Sequence, residues 1–491
     1  MKVPMNGASS GPGRNPASKA LLLVVFALSV LVAAITVDMV TPVLPLVREQ
    51  FAATEAQISW VVSGVALVLA VGVPLYGRLS DVIELRSLYG SAVALLSAGC
   101  LLCAVAPTLP VLVLGRMIQG AGMAAIPVLS IVAVSTLWPP GKRGGALGVI
   151  SGSIGVGTAG GPIFGGAIGQ WAGWPSLFWI TFVLTIFILI VALRVLPSIG
   201  LKSPDGRRRN IDYGGGALLG LATGLLLFAV TQGGMSGFAS FPSIGSFIGS
   251  LLAGIAFVWR SVSIAEPFVP LALFRNRYYV CSILVAVFTM FAYFAVLVFV
   301  PLMVVEVNGL SAGQAGWTLL PGGAAVAILS PFVGRISDRI GTRRLIVAGV
   351  TVMGLSTFYL STVASGASPA LVAIGVLFAG IAFALTASPA NNAAASALKQ
   401  DQVGIGIGLF QGALYLGAGV GAGILGALLS ARQEASESWN PLYHLEAVNY
   451  SDAFLAATGC VLMAWIAAWG LRKDGLLFLE KRKKPAIMGR G

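Results

Sequence analysis

The sequence predicts an all-α integral membrane protein of about fourteen transmembrane helices, and three observations carry that prediction. The 491 residues are 57% hydrophobic and only 10% charged, with a mean hydropathy of +0.93, whereas a soluble globular chain carries roughly 25% charged residues. Fourteen apolar stretches are each about 18 or more residues long, enough to cross a hydrocarbon core of about 30 Å. An eight-residue segment also recurs in the second half of the chain, as a doubled bundle requires.

The stretches begin near residues 20, 56, 87, 108, 144, 175, 213, 242, 278, 312, 345, 369, 402 and 451. The first follows a polar lead rich in Gly, Pro and Ser without a small-residue cleavage signature, so it reads as a retained helix. With the N-terminus in the cytoplasm, inner loops and tails hold 27 of the 30 Lys and Arg residues, leaving Arg48 and Arg432 outside and Arg116 within a span. Insertion retains basic residues on the cytoplasmic side, so the net charge of +13 reads as topogenic and not as a nucleic-acid footprint. Both termini are then cytoplasmic, and the cluster Lys481, Arg482, Lys483 and Lys484 lies against anionic membrane lipid.

Residues 74–81 read PLYGRLSD and residues 331–338 read PFVGRISD, identical at five of eight positions and 257 residues apart. Each copy closes the second span of a six-span unit, giving two parallel units, an arrangement typical of secondary transporters. The spacing exceeds what six spans need, and the spans from 213 and 242 fill the excess. The expected organisation is a cytoplasmic tail 1–19, a six-helix bundle 20–200, a linker 201–277 with two additional helices, a second six-helix bundle 278–472 and a basic cytoplasmic tail 473–491.

Of the acidic residues only Asp38 lies well inside a predicted span, and of the basic ones only Arg116. Such charges are costly in lipid and mark function by default. Each lies eight residues from the outer surface, about 12 Å deep at 1.5 Å per residue, so a direct or water-bridged pair is expected. The alternatives are a proton carrier tuned by Arg116 and a permanently ionised pair that fixes two helices. Cys100, Cys103, Cys281 and Cys460 fall inside apolar stretches at spacings that fit neither a metal site nor a disulfide framework. No paired intramembrane carboxylates, HExxH or P-loop offer a place for catalysis, so an enzyme is not expected.

These residues resemble the major facilitator superfamily, and the fourteen-span count is similar to its drug:proton antiporters, relatives of quaternary-ammonium exporters. The family's loop motif after the second span is matched by Gly334, Asp338, Arg339, Gly341, Arg343 and Arg344. The first copy keeps Gly77, Asp81 and Arg86 but has Val82, Glu84 and Leu85 where the family has Arg, Gly and Arg. Each aspartate is expected to accept amide donors at the start of the next span of its own unit and complement the helix dipole there. Such loops would stabilise the outward-open state. Arg116-x-x-Gln119-Gly120 resembles the family's fourth-span motif. Gly157-x-x-x-Gly161-Pro162-x-x-Gly165-Gly166 is similar to its antiport motif, whose side-chain-free face lets a neighbour pack backbone to backbone.

The resemblance implies a proton-coupled exporter of hydrophobic, cationic small molecules that works as a monomer in a bacterial cytoplasmic membrane, needing no cofactor beyond the proton gradient. An exporter or flippase of lipid-like or natural-product substrates is the alternative, and proton-coupled uptake a more distant one. Candidate cavity residues are Trp60, Gln119, Met290, Phe291, Tyr293, Phe294, Glu306, Gln411 and Tyr415, a mixture of apolar walls and a few hydrogen-bonding groups. Trp60 serves equally as an outer aromatic anchor, and Glu306 as a solvated loop charge.

Overall fold

The computed structural model describes residues 16–139, 141–197 and 212–471. Most of the 1–19 tail, the basic residues 207–209 and the tail 473–491 lie outside the described residues. Every regular element among the described residues is helical. The first half holds α1 (Pro16–Asp38), the short α2 (Leu44–Phe51), α3 (Glu55–Leu79), α4 (Leu85–Ala104), α5 (Leu109–Leu137), α6 (Arg143–Ala172) and α7 (Trp174–Val195). Next come α8 (Tyr213–Ser236) and α9 (Phe241–Ser263). The second half holds α10 (Arg277–Glu306), α11 (Ala312–Ile340), α12 (Thr342–Tyr359), α13 (Pro369–Ala397), α14 (Val403–Ala431) and α15 (Val448–Trp469). Fourteen candidate membrane spans result, with α1 and α2 sharing the first.

The repeat extends beyond the recurring loop. Thr54 starts α3 with a capping box to Gln57, and Ser311 starts α11 with the same box to Gln314. In such a box the hydroxyl and the amide each satisfy an orphan donor of the first turn. α3 and α11 are therefore equivalent helices from first turn to terminal loop. Between α11 and α12 a single residue, Gly341, turns the chain at φ +90°, a backbone region that glycine enters without Cβ strain.

The first six spans pack chiefly among themselves through α4–α5, α3–α5, α1–α6 and α4–α7, and the last six through α11–α13, α12–α13, α10–α14 and α10–α15. The halves meet along two equivalent seams, α6 on α11 and α3 on α14. α8 packs on α9 and also touches α3 and α14, so the inserted pair flanks one seam from outside. Large apolar side chains such as Leu251, Leu252, Ile255 and Trp259 on α9 are exposed, as a lipid-facing helix requires. Asp212 caps α8 by accepting from the Gly215 amide, pairs with Arg260 of α9 at 2.8 Å and accepts from the Phe268 amide. One carboxylate thus clasps both inserted helices and the segment that leads to α10.

Arg78, Lys142, Arg143, Arg260 and Arg339 gather at one end of the bundle, the basic end. There the core is continuous between halves: Ala395 of α13 and Val403 and Ile407 of α14 belong to the apolar cluster of the first half.

Candidate functional site

The site begins with a helix break. α1 ends at Asp38 and the chain continues through a 3-10 turn at Thr41–Val43, although the apolar run predicts a helix continuing to about residue 46. Pro42 has no N–H to offer the carbonyl of Asp38, so the ladder stops within the span. Asp38 is therefore the terminal residue of α1 and not an interior one.

Arg116 of α5, 1% exposed, meets the carbonyls that the break releases. Its Nη1 donates to Thr36 O at 3.0 Å and its Nη2 to Val37 O at 3.4 Å, while Nε donates to Val61 O of α3 at 3.2 Å. Gln119 Oε1 accepts from the same Nη1 at 2.9 Å, and Gln119 Nε2 donates to Cys100 Sγ at 3.0 Å. The expected direct pair is not made: among the described residues, none forms an ion pair within 4.0 Å of Asp38. Arg116 acts on the Asp38 carboxyl through space while it caps the end of α1. Gln119 is fully buried, and its hydrogen bond positions Arg116.

The glycines of α6 form the floor beneath Asp38. A Cβ on Gly157 would lie 2.4 Å from Ala34 Cβ, on Gly161 2.9 Å from Asp38 Cβ, and on Gly165 1.9 Å from Met39 O. Gly166 faces away, with its nearest neighbour Pro42 Cβ at 3.8 Å. The opposite face of α6 packs on α11 through Gly144, Gly148 and Gly155. α6 is therefore a thin wedge, carrying Pro162 at its centre, between the Asp38 helix and the second half.

From the second half, the hydroxyls of Tyr293 on α10 and Tyr415 on α14 lie within the electrostatic reach of Asp38. Tyr293 stacks on Phe383 of α13 with centroids 4.2 Å apart and planes inclined by 12°. Gln411 lies one turn from Tyr415 towards the basic end and is 3% exposed. The other cavity candidates divide. Met290 and Phe291 belong to the packing of the second half, where Phe291 covers Gly421, and Phe294 is half-buried. Trp60 turns to the inserted helices, its ring 6.5 Å from that of Phe228. Glu306 accepts a hydrogen bond from Tyr450 of α15, which ties it to the periphery of the second half.

The two loop aspartates cap helices across the seam, a correction to the expectation that each caps its own unit. Asp81 accepts from the amides of Gly404 and Ile405 at 2.9 and 3.0 Å, in the first turn of α14. Asp338 accepts from the Gly144 amide of α6 at 2.9 Å. Each anion thus sits at the positive end of a helix dipole belonging to the other half. Gly77 and Gly334 permit the approach: a Cβ there would lie 2.5 Å from Gly408 Cα and 2.0 Å from Gly144 O. Arg339, Arg343 and Arg344 are exposed and Arg86 is half-buried, so these four stand around the latch at the surface.

Sequence reasoning missed part of this latch. Arg143 of α6 donates to Asn392 Oδ1 at 2.8 Å and to Ser396 Oγ, and Asn392 Nδ2 donates to Asp338 Oδ1 at 3.2 Å. The signal was the amide pair Asn391–Asn392 inside the apolar run of α13. It also missed Asp452, fully buried near the start of α15 and paired with Arg432 at 2.7 Å.

A sequence model of the Major Facilitator Superfamily matches residues 26–422 and, overlapping, 282–486. The chain belongs to the Major Facilitator Superfamily. It is a multi-pass membrane transporter and not an enzyme. It is 31% identical over 390 residues to the multidrug resistance protein Stp of Mycobacterium tuberculosis, covering 79% of this chain and 72% of that one. It is 28% identical over 396 residues to the lincomycin resistance protein LmrB of Listeria monocytogenes, covering 80% and 83%. The fold is similar to that of the human organic anion transporter MFSD10, with a TM-score of 0.68 at 14% identity over 92% of this chain and all of that one.

Proposed function

We propose that this transporter exports hydrophobic, cationic drug-like compounds in exchange for protons by alternating access. The names of its resistance-protein relatives support drug efflux. The observation that carries proton coupling is the placement of Asp38: an acidic group with no ion pair among the described residues, at a break in α1, within electrostatic reach of Tyr293 and Tyr415 of the other half. A carboxylate so placed can exchange a proton for a substrate cation, since either neutralises it in a site that water leaves on closure. Arg116, held by backbone carbonyls, supplies a fixed positive charge within reach of that carboxyl.

The basic end is the cytoplasmic end in this proposal, both termini are cytoplasmic, and the protein sits as a monomer in a bacterial cytoplasmic membrane. Residues 20–200 and 278–472 are the two moving bundles, and 201–277 links them. With Asp81 and Asp338 engaged across the seams, the state described is closed towards the cytoplasm.

The test is transport by purified protein in liposomes under an imposed pH gradient. A hydrophobic cationic dye should accumulate on the acid side beyond the level in protein-free vesicles, and a protonophore should abolish the excess. Accumulation that ignores the gradient would contradict proton coupling.

A further inference from the structure

Two buried side-chain oxygens in the half of the molecule nearer the basic end lack a partner among the described residues. Gln411 Oε1 and Asn391 Oδ1 are buried without a hydrogen bond, on residues 3% and 5% exposed. A buried carbonyl left unpaired forfeits its hydration with nothing in return, so two in one region point to an occupant.

Gln411 lies on a face turned to the other half, and Asn391 on a face that reaches the other half at its basic end. On α14, positions 403, 407, 411 and 415 share one face at a spacing of four, and Val403, Ile407 and Tyr415 all pack against the apolar cluster of the first half. On α13, positions 383, 387, 391 and 395 share a face in the same way; Ala395 joins that cluster and Phe383 stacks on Tyr293. Counting along each helix, Gln411 lies eight residues from the start of α14 and Asn391 six from the end of α13, both ends being at the basic end. At 1.5 Å per residue their depths differ by about 3 Å. Towards the opposite end lie the aromatic groups Tyr293, Phe383 and Tyr415, and beyond them Asp38.

We infer that Gln411 and Asn391 form an acceptor pair for substrates that combine a flat aromatic body with N–H or O–H donors, the aromatic part lying against Tyr293, Phe383 and Tyr415. This rests on the efflux reading above and narrows it. An ammonium attracted by Asp38 lies beyond the aromatic groups, out of reach of either oxygen, so the donor must sit on the other side of the aromatic body. A site built to accept hydrogen bonds discriminates against a ligand that lacks the donor, because its own groups stay unpaired.

The test is equilibrium binding to the full-length protein in nanodiscs, using a naphthol whose far ring bears a trimethylammonium side chain, and the methyl ether of that naphthol. The two share charge and aromatic body and differ in one O–H. The wild type should bind the donor-bearing compound about tenfold or more tightly. Gln411→Met and Asn391→Leu should each bring the ratio towards one by weakening that compound alone, and unchanged binding of the methyl ether certifies the fold. Equal affinities in the wild type, or variants that weaken both compounds alike, would overturn the acceptor pair while leaving efflux intact. Binding of neither compound would remove the efflux reading and this inference together.

Discussion

The guanidinium of Arg116 donates to the carbonyl oxygen of Thr36 at 3.0 Å, two residues before Asp38. The deepest basic group of the protein thus holds the backbone that presents the acid. Asp38 makes no ion pair among the described residues while four hydrogen bonds hold Arg116, which suits a group that must gain and lose protons repeatedly.

Arg116→Lys tests that division of labour. An ammonium has three donors on one atom and cannot span Val61 O and Thr36 O as the planar fork does. Carbonyls at the break of α1 would lose partners at about 1–3 kcal/mol each. The melting temperature in detergent should fall although the charge is retained; an unchanged melt would show that only charge matters at this position.

The glycines of α6 yield a contrast within one motif. Gly165→Ala places a methyl where Met39 O stands, 1.9 Å away, whereas Gly166→Ala meets nothing closer than 3.8 Å. Forcing extra volume into a close-packed contact typically costs about 1–3 kcal/mol. Transport and yield of folded protein should collapse for Gly165→Ala and stay near wild type for Gly166→Ala. Equal effects would mean that the face of α6 towards α1 does not govern the motif.

Asp81 and Asp338 cap helices of the opposite half at the basic end, and the proposed function makes those caps the closure. Hydrogen bonds to charged groups contribute about 1.5–3 kcal/mol each, so Asp81→Ala should shift the closed-to-open ratio at the basic end by tenfold or more. Spin labels at Ile83→Cys and Lys399→Cys, both exposed, should report longer distances in that variant. Asp338→Asn should open the other seam and release Arg143 and Asn392.

The inserted helices carry a pH-dependent clasp. Burial pushes the Asp212 carboxyl up, but the Gly215 amide, Arg260 and the Phe268 amide together outweigh it and hold it below the usual carboxylate range. A depressed folded value means stability that is fully present above the unfolded value of about 4 and lost as pH falls through the folded one. Hydrogen exchange at the start of α8 should therefore be slow and constant from neutral pH down to about 4 after correction for intrinsic rates, and Asp212→Asn should accelerate it throughout. No effect of that substitution at neutral pH would dispose of the clasp.

The fourteen spans were legible because bilayer thickness imposes a length that apolar runs display, and the 257-residue repeat located Asp81 and Asp338 in equivalent loops. Their true partners were not legible, since Gly404 and Gly144 contribute backbone amides that no side-chain pattern marks. Asp38 and Arg116 stood out by charge and depth, yet equal depth implied a pair where the fold makes a cap. Pro42 was the available sign that α1 breaks and that its carbonyls need a donor. Asn391, Asn392 and Asp452 were visible as polar residues in apolar runs, but without a partner in sequence they carried no role.

The central claim is that Asp38 carries the coupled proton, and Asp38→Asn in proteoliposomes tests it most directly. Because Asp38 makes no ion pair, the variant should fold and melt like the wild type. It should lose accumulation of a cationic dye driven by a pH gradient and, with the anion gone, bind that dye more weakly. Gradient-driven accumulation at the wild-type level by a folded Asp38→Asn protein would contradict the account.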